Sequence, residues 1–180
     1  MENYTLELDP RSGKLLSLYL LTDIKNTIEL RKKILSGELK CCILKASMIV
    51  DPFQVVVGVN KAVLRQLNNK LITRSLFTEI LYCISSSTNI SQSLAKFGIN
   101  DNDKNIIVAI VHSKDENNEF EDNIRPQIDG QLTPISQLKN YSDIELIKKT
   151  YKIDKEELKV SSLADSIVSR IGADYQISLK

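Results

Sequence analysis

The only histidine in the chain, His112, closes the apolar run Ile106 to Val111. To act as a general base its imidazole would need a Ser or Cys nucleophile and a carboxylate from elsewhere in the fold. Without a local sign of either, it reads as an ordinary strand-end surface histidine. Cys83 sits in an apolar helical pattern and reads as a small buried hydrophobe rather than a nucleophile. The remaining cysteines, Cys41 and Cys42, are adjacent, which is not the spacing of a zinc knuckle. The six glycines are scattered singly, so neither a phosphate-binding P-loop nor a G-x-G-x-x-G cradle is present. No catalytic residue, metal or cofactor is expected.

The positive signal is electrostatic. No acidic residue occurs between Asp51 and Glu79, whereas Lys61, Arg65, Lys70 and Arg74 all fall in that window. In a chain of net charge +1 this is a local basic patch. On a helix Lys61 and Arg65 stand at i and i+4, share a face and repel by roughly a few tenths of a kcal/mol. A phosphate backbone would neutralise that pair. Asn60, Ser75 and Thr78 add hydrogen-bonding groups suited to a sugar or a base edge. The competing interpretation is a solvated face whose acidic partners arrive from elsewhere in the fold.

Elements that would position these residues follow from periodicity. Tyr4, Leu6 and Leu8 alternate with polar neighbours, and Leu15 to Leu21 is a short apolar run after Pro10 and Gly13, which predicts two strands joined as a hairpin. Asn26 to Ser36 predicts an amphipathic helix stopped by Gly37. A long helix is predicted to start at Pro52 in its first turn. After the turn at Asn68-Asn69, Leu76, Phe77, Ile80, Leu81 and Ile84 predict a second helix, with Thr73 as its N-cap. A short third helix is predicted between Asn89, capping towards Gln92, and a Schellman-type stop at Gly98. Ile106 to Val111 reads as a buried strand, Lys114 to Asn123 as a polar mobile loop, Asp129-Gly130 as a hairpin turn, and Asp143 as the cap of a helix through Tyr151. Val160, Leu163, Ala164, Ile167, Val168 and Ile171 form a C-terminal helical stripe up to Gly172, wider than a coiled-coil seam. Core packing accounts for such a stripe, and a partner would anchor on Leu163, Ile167 and Ile171. Strands and helices mix without βαβ alternation, so the expected fold is α+β, mainly antiparallel sheet packed with a helical layer.

A 180-residue chain with 42% hydrophobic and 26% charged residues is the size and composition of one ordinary globular domain, here 1–180, and not of a disordered tail or coiled coil. No apolar run approaches the ~20 residues that span a bilayer, and Glu2 and Asp9 are out of place in a signal peptide. Three cysteines offer no disulfide framework, so a reducing compartment, cytoplasm or nucleus, is expected.

Several ordered motifs carry a resemblance. Val50-Asp51-Pro52-Phe53-Gln54, Asn60-Lys61-Ala62, Thr73-Arg74-Ser75 with Thr78-Glu79-Ile80, Asn89-Ile90-Ser91 and Lys96-Phe97-Gly98-Ile99 together resemble the PRPK-binding protein family, the small non-catalytic subunit of the KEOPS/EKC complex. The likeness is densest over residues 50–99 and extends more faintly to both termini, including Lys148 to Lys152. It implies a subunit that binds the N-terminal lobe of a PRPK-type atypical kinase/ATPase and meets other KEOPS subunits indirectly. The assembly threonylcarbamoylates the adenosine beside the anticodon, with the chemistry in other subunits. The resemblance also implies contact with tRNA through its 3′ CCA end. By position it assigns Asn60, Lys61, Arg74 and Ser75 to the tRNA-facing part, with Arg65 and Lys70 as backbone contacts, and Leu163, Ile167 and Ile171 to the kinase. The alternatives are a purely protein-binding kinase regulator without RNA contact and, further off, a small enzyme using His112 or Cys83.

Overall fold

The computed structural model describes residues 4–115 and 119–173. Its centre is the strand pair β2 (Leu15–Thr22) and β4 (Ile106–His112), antiparallel with Leu15 opposite His112 and Leu21 opposite Ile106. β3 (Cys42–Lys45) lies against the far side of β4. β1 (Tyr4–Glu7) and β5 (Gln131–Thr133) pair with successive stretches of β2, so they share its other edge. All pairings are antiparallel, in the order β1-β2-β4-β3 with β5 beside β2.

Both central strands read as largely apolar runs, interrupted in β2 by Ser17, because both faces of the sheet are covered. Leu16, Leu18, Leu20, Ile107 and Ala109 point to one face, into the larger core. There they meet α2 (Pro52–Leu67), α3 (Leu76–Ser85), α4 (Ile90–Phe97), α5 (Ile144–Tyr151) and α6 (Leu163–Gly172). Tyr19, Leu21, Ile106, Val108 and Ile110 point the other way, towards α1 (Thr27–Ser36) and the π-helical turn Phe120–Ile124. Mixed α+β architecture with an antiparallel sheet and a helical layer therefore holds.

Within the helical layer α2 passes so close to α3 that a Cβ on Gly58 would lie 2.2 Å from Ile84 Cγ1. A buried polar knot ties the same helices to α5. The Gln54 amide donates to the Met48 carbonyl at 3.1 Å and to the Tyr151 hydroxyl at 3.0 Å, and that hydroxyl donates to the Ile84 carbonyl at 2.6 Å. No helix among the described residues is long and apolar enough to cross a membrane.

Five local expectations need correction. Lys114 to Asn123, of which 116–118 lie outside the described residues, is not simply a polar loop. Phe120 is buried and stacks on Tyr19 with ring centroids 3.6 Å apart, and Ile124 packs beside it. Asp129-Gly130 forms no hairpin: the Arg125 guanidinium pins the turn by donating to the carbonyls of Ile128 and Gly130, and the strand that follows pairs with β2. Gly98 is extended at φ −72°, with its N–H on the Leu94 carbonyl, so α4 ends without a Schellman turn. Val160 precedes α6 and is 89% exposed. His112 is buried rather than on the surface.

Candidate nucleic-acid interface

Asp51 caps α2 by accepting from the Phe53 N–H at 2.8 Å, and Pro52 occupies the first turn where its missing N–H costs nothing. The helix carries Asn60, Lys61 and Arg65 along one side. A cleft of about 510 Å³ opens beside them, lined by Asn60, Lys61, Leu64, Arg65, Lys70 and Ile72 among others.

The side chains in that cleft are not equivalent. Asn60 Oδ1 accepts from the Asp9 N–H at 2.8 Å, which fixes the turn after β1. Lys61 Nζ donates to the carbonyls of Ile171 and Ala173, both at 3.0 Å, and so neutralises the carbonyl end of α6. Arg65 Nη1 meets Glu79 Oε1 at 2.9 Å, and the guanidinium lies 5.8 Å from the Tyr82 ring centroid.

Glu79 is fully buried, and its second oxygen gathers the loop between α2 and α3. Glu79 Oε2 accepts from the Ile72 N–H at 3.0 Å and from the Thr73 N–H and hydroxyl at 2.8 Å each. Burial alone would raise the Glu79 carboxyl pKa. The Thr73 donors, the Arg65 guanidinium and the Ile72 N–H outweigh it and hold the group below the ordinary carboxyl value. Ser75, not Thr73, is the N-cap of α3: its hydroxyl accepts from the Thr78 N–H at 3.2 Å, and Thr78 Oγ1 accepts from the Ser75 N–H at 3.1 Å. Thr73 instead serves the Glu79 carboxylate.

Lys70 and Arg74 lie on the loop so held. Both are exposed, and neither has an ion-pair partner among the described residues. Thus the structure gathers Asn60, Lys61, Arg65 and Lys70 at one cleft, keeps Arg74 and Ser75 on its adjoining loop, and leaves Lys70 and Arg74 as the cations facing solvent. Glu79 was missed in the sequence because it stood as the border of the acid-free window. The one available signal was that a carboxylate inside an apolar helical pattern needs a partner.

On α6 the expected kinase-facing residues separate. Ile167 and Ile171 are fully buried against the larger core, so their side chains are not open to a partner, and only Leu163 is half-buried. The side of α6 turned outward carries exposed Asp165 and Ser169, and Ala164 and Val168, both half-buried, lie on its flank.

His112 and Cys83 are not assembled for catalysis. The His112 Nδ1–H donates to the Ser113 carbonyl at 2.9 Å, which leaves Nε2 to accept from the Ser17 hydroxyl at 2.9 Å. That hydroxyl is in contact with Thr5 Oγ1 at 2.8 Å, so the row links three strands. Ser17 is buried and a carbonyl stands where a triad needs a carboxylate. Cys83 is buried in the larger core.

Residues 21–174 match the model of the family described as kinase binding protein CGI-121. The chain belongs to this family. It is 40% identical over 152 residues to the EKC/KEOPS complex subunit TPRKB of Danio rerio, covering 84% of this chain and 86% of that protein. Fungal members named EKC/KEOPS complex subunit CGI121 are more distant, at 27% over 146 residues in Yarrowia lipolytica (80% and 83% covered) and 28% over 159 in Candida glabrata (87% and 88%). The CGI-121 match begins inside β2 and takes in α1 through α6.

Proposed function

We propose that this chain is a non-catalytic subunit of the KEOPS/EKC complex, working in cytoplasm and nucleus. It docks the PRPK-type kinase/ATPase and helps recruit tRNA by its 3′ CCA end for threonylcarbamoylation of the adenosine beside the anticodon. The supporting observation is the match of residues 21–174 to a kinase-binding family whose relatives are EKC/KEOPS subunits. For the tRNA part, Lys70 and Arg74 supply exposed charge beside a polar cleft, and exposed Ile72 and Leu67 offer apolar surface for a base. For the kinase part, half-buried Val168 on the flank of α6 and the exposed Val160 before it replace buried Ile167 and Ile171 as contact positions.

The test is reconstitution with the kinase subunit. The wild-type chain co-elutes with it, and Val160→Glu with Val168→Glu, at positions outside the buried core, loses co-elution while keeping its unfolding midpoint. A wild-type chain that fails to co-elute sinks the proposal. A gel shift with tRNA lacking its CCA end then decides the RNA part. The second reading, a regulator that touches only protein, is favoured by the commitment of Lys61 and Arg65 to contacts inside the fold. It predicts no shift with either tRNA.

A further inference from the structure

At the β3 edge of the sheet an apolar cavity of about 320 Å³ opens where α1, β3, α3 and the C-terminal end of α4 meet. It shares no lining residue with the cleft beside α2. Cys42 and Ile43 of β3, Leu81 of α3, Leu94 of α4, and Ile34 and Leu35 of α1 supply most of its apolar lining. Among the described residues Arg31 is the only charged one that lines it. Burial pushes the Cys41 thiol up to about 12 and the Cys42 thiol well above its ordinary value, so the strand adds no negative charge.

The cavity continues onto α1. Ile28 and Leu35 are 55% and 79% exposed, and with Arg31 between them they follow the three- and four-residue spacing that puts side chains on one helix face. Leu30 and Ile34 already seat α1 on the smaller core, so that core has no need of Ile28 or Leu35. An exposed hydrophobe by itself is ordinary. Here two of them share a face that runs into an apolar cavity through Leu35, and a continuous patch of this kind marks an interaction surface.

Charge decides the occupant. Arg31 Nη1 donates to Asp101 Oδ1 at 2.8 Å, but both side chains are about half exposed, so solvent screens the pair. The Nε and Nη2 side of the guanidinium has no partner among the described residues. Exposed Lys32, on the flank of the same face, has no ion-pair partner there either. The nearby glutamates are taken, since Glu29 and Glu38 both lie on Lys33, at 3.2 and 3.9 Å. The stripe is thus apolar at its ends and basic in its middle. A second copy of the chain fits it badly: antiparallel α1 helices that join Ile28 to the other copy's Leu35 set Arg31 against Lys32 twice. We infer that this surface docks an acidic amphipathic helix of a partner protein. One apolar anchor enters the cavity beside Leu35, a second lies on Ile28, and a carboxylate between them takes the open side of Arg31 together with Lys32. The contact is separate from those proposed above, which use α6 and the loop between α2 and α3.

Titration of the full chain with a stapled helical peptide of about 20 residues, long enough to hold its helix, tests it. The peptide carries leucines one heptad apart with glutamates between them, and a counterpart has lysine for every glutamate. Methyl NMR reads the position and fluorescence anisotropy the affinity. The acidic peptide is expected to shift the methyl signals of Ile28, Leu35 and Leu94 to saturation, and the lysine peptide to leave them in place. Leu35→Ser, at an exposed position, keeps the unfolding midpoint and weakens the acidic peptide roughly tenfold. Arg31→Glu with Lys32→Glu reverses the preference between the two peptides. An acidic peptide that moves none of these signals overturns the inference, as does unchanged affinity in the folded Leu35→Ser variant. Equal binding of both peptides by the wild type overturns it too, because the surface would then not select by charge. So does a wild-type dimer that Leu35→Ser dissociates, which would give the stripe to a second copy.

Discussion

On α2, Lys61 and Arg65 turn their charges inward, to the carbonyl end of α6 and to buried Glu79, while on the loop that follows Lys70 and Arg74 face solvent without an ion-pair partner among the described residues. The four belong to one acid-free stretch of sequence and to two different jobs. A run without acids along the chain says nothing about which acids or carbonyls return to it in space. The helical half of the basic window holds the fold together, and the loop half is what remains to meet a partner. Glu79 divides the two, because one oxygen takes Arg65 and the other shapes the loop that displays Lys70 and Arg74.

Breaking that division at Glu79 has the largest expected effect. Glu79→Gln leaves Arg65 without its carboxylate and turns amide hydrogens towards donors, which costs about 3 kcal/mol by urea unfolding. Because the folded pKa of Glu79 is lowered, its contribution is complete above the ordinary carboxyl value of about 4.3 and is lost as pH falls through the folded value. The wild type therefore loses stability on acidification below about pH 4.3, and the Gln variant, already weaker at neutral pH, loses less over the same range. Equal stability of the two proteins at pH 7 would show that the carboxylate does not organise the loop.

Next in size is Lys61→Met, which keeps the aliphatic stem and removes the donor to Ile171 and Ala173. It should lower stability by about 1 kcal/mol, the worth of a partly exposed cation at a helix C-terminus. The same substitution is a poor probe of RNA binding, since any loss of affinity is mixed with fraying of α6. Hydrogen exchange at the α6 amides checks it: faster exchange there, with α1 unchanged, is the expected pattern.

Much of the frame that holds these residues was legible, and the reasons it was legible also mark what was hidden. α1 with its Gly37 stop, α2 from Pro52, and the caps at Asn89 and Asp143 are local signals read within one turn of chain. The apolar runs of β2 and β4 announced strands, and that of β4 a buried one. Phe120 was hidden because its acidic neighbours look like a loop, and the ring that buries it, Tyr19, is distant in sequence. Ile167 and Ile171 were indistinguishable from a docking stripe, because a helix face carries the same residues whether a core or a partner covers it. Asn60, Lys61 and Arg65 were assigned to RNA for a similar reason. Their partners, the Asp9 amide, the last carbonyls of α6 and a carboxylate on the next helix, become neighbours only in the folded chain.

The smallest expected effect on folding falls on the loop half, and it is the sharpest test of the comparison. Lys70→Gln with Arg74→Gln removes two exposed cations that have no ion-pair partner among the described residues, so stability should stay within about 0.5 kcal/mol of wild type. If these residues meet RNA, the same variant binds tRNA more weakly and flattens the salt dependence by about one for each phosphate that is no longer neutralised. The two measurements together separate the halves of the window: a stability loss without an affinity loss assigns Lys70 and Arg74 to the fold, like Lys61 and Arg65. An affinity loss at unchanged stability makes the loop the contact and Glu79 the residue that positions it. In that case Glu79→Gln should weaken tRNA binding too, even at temperatures where the variant remains fully folded, because the loop would then present its cations without a fixed geometry.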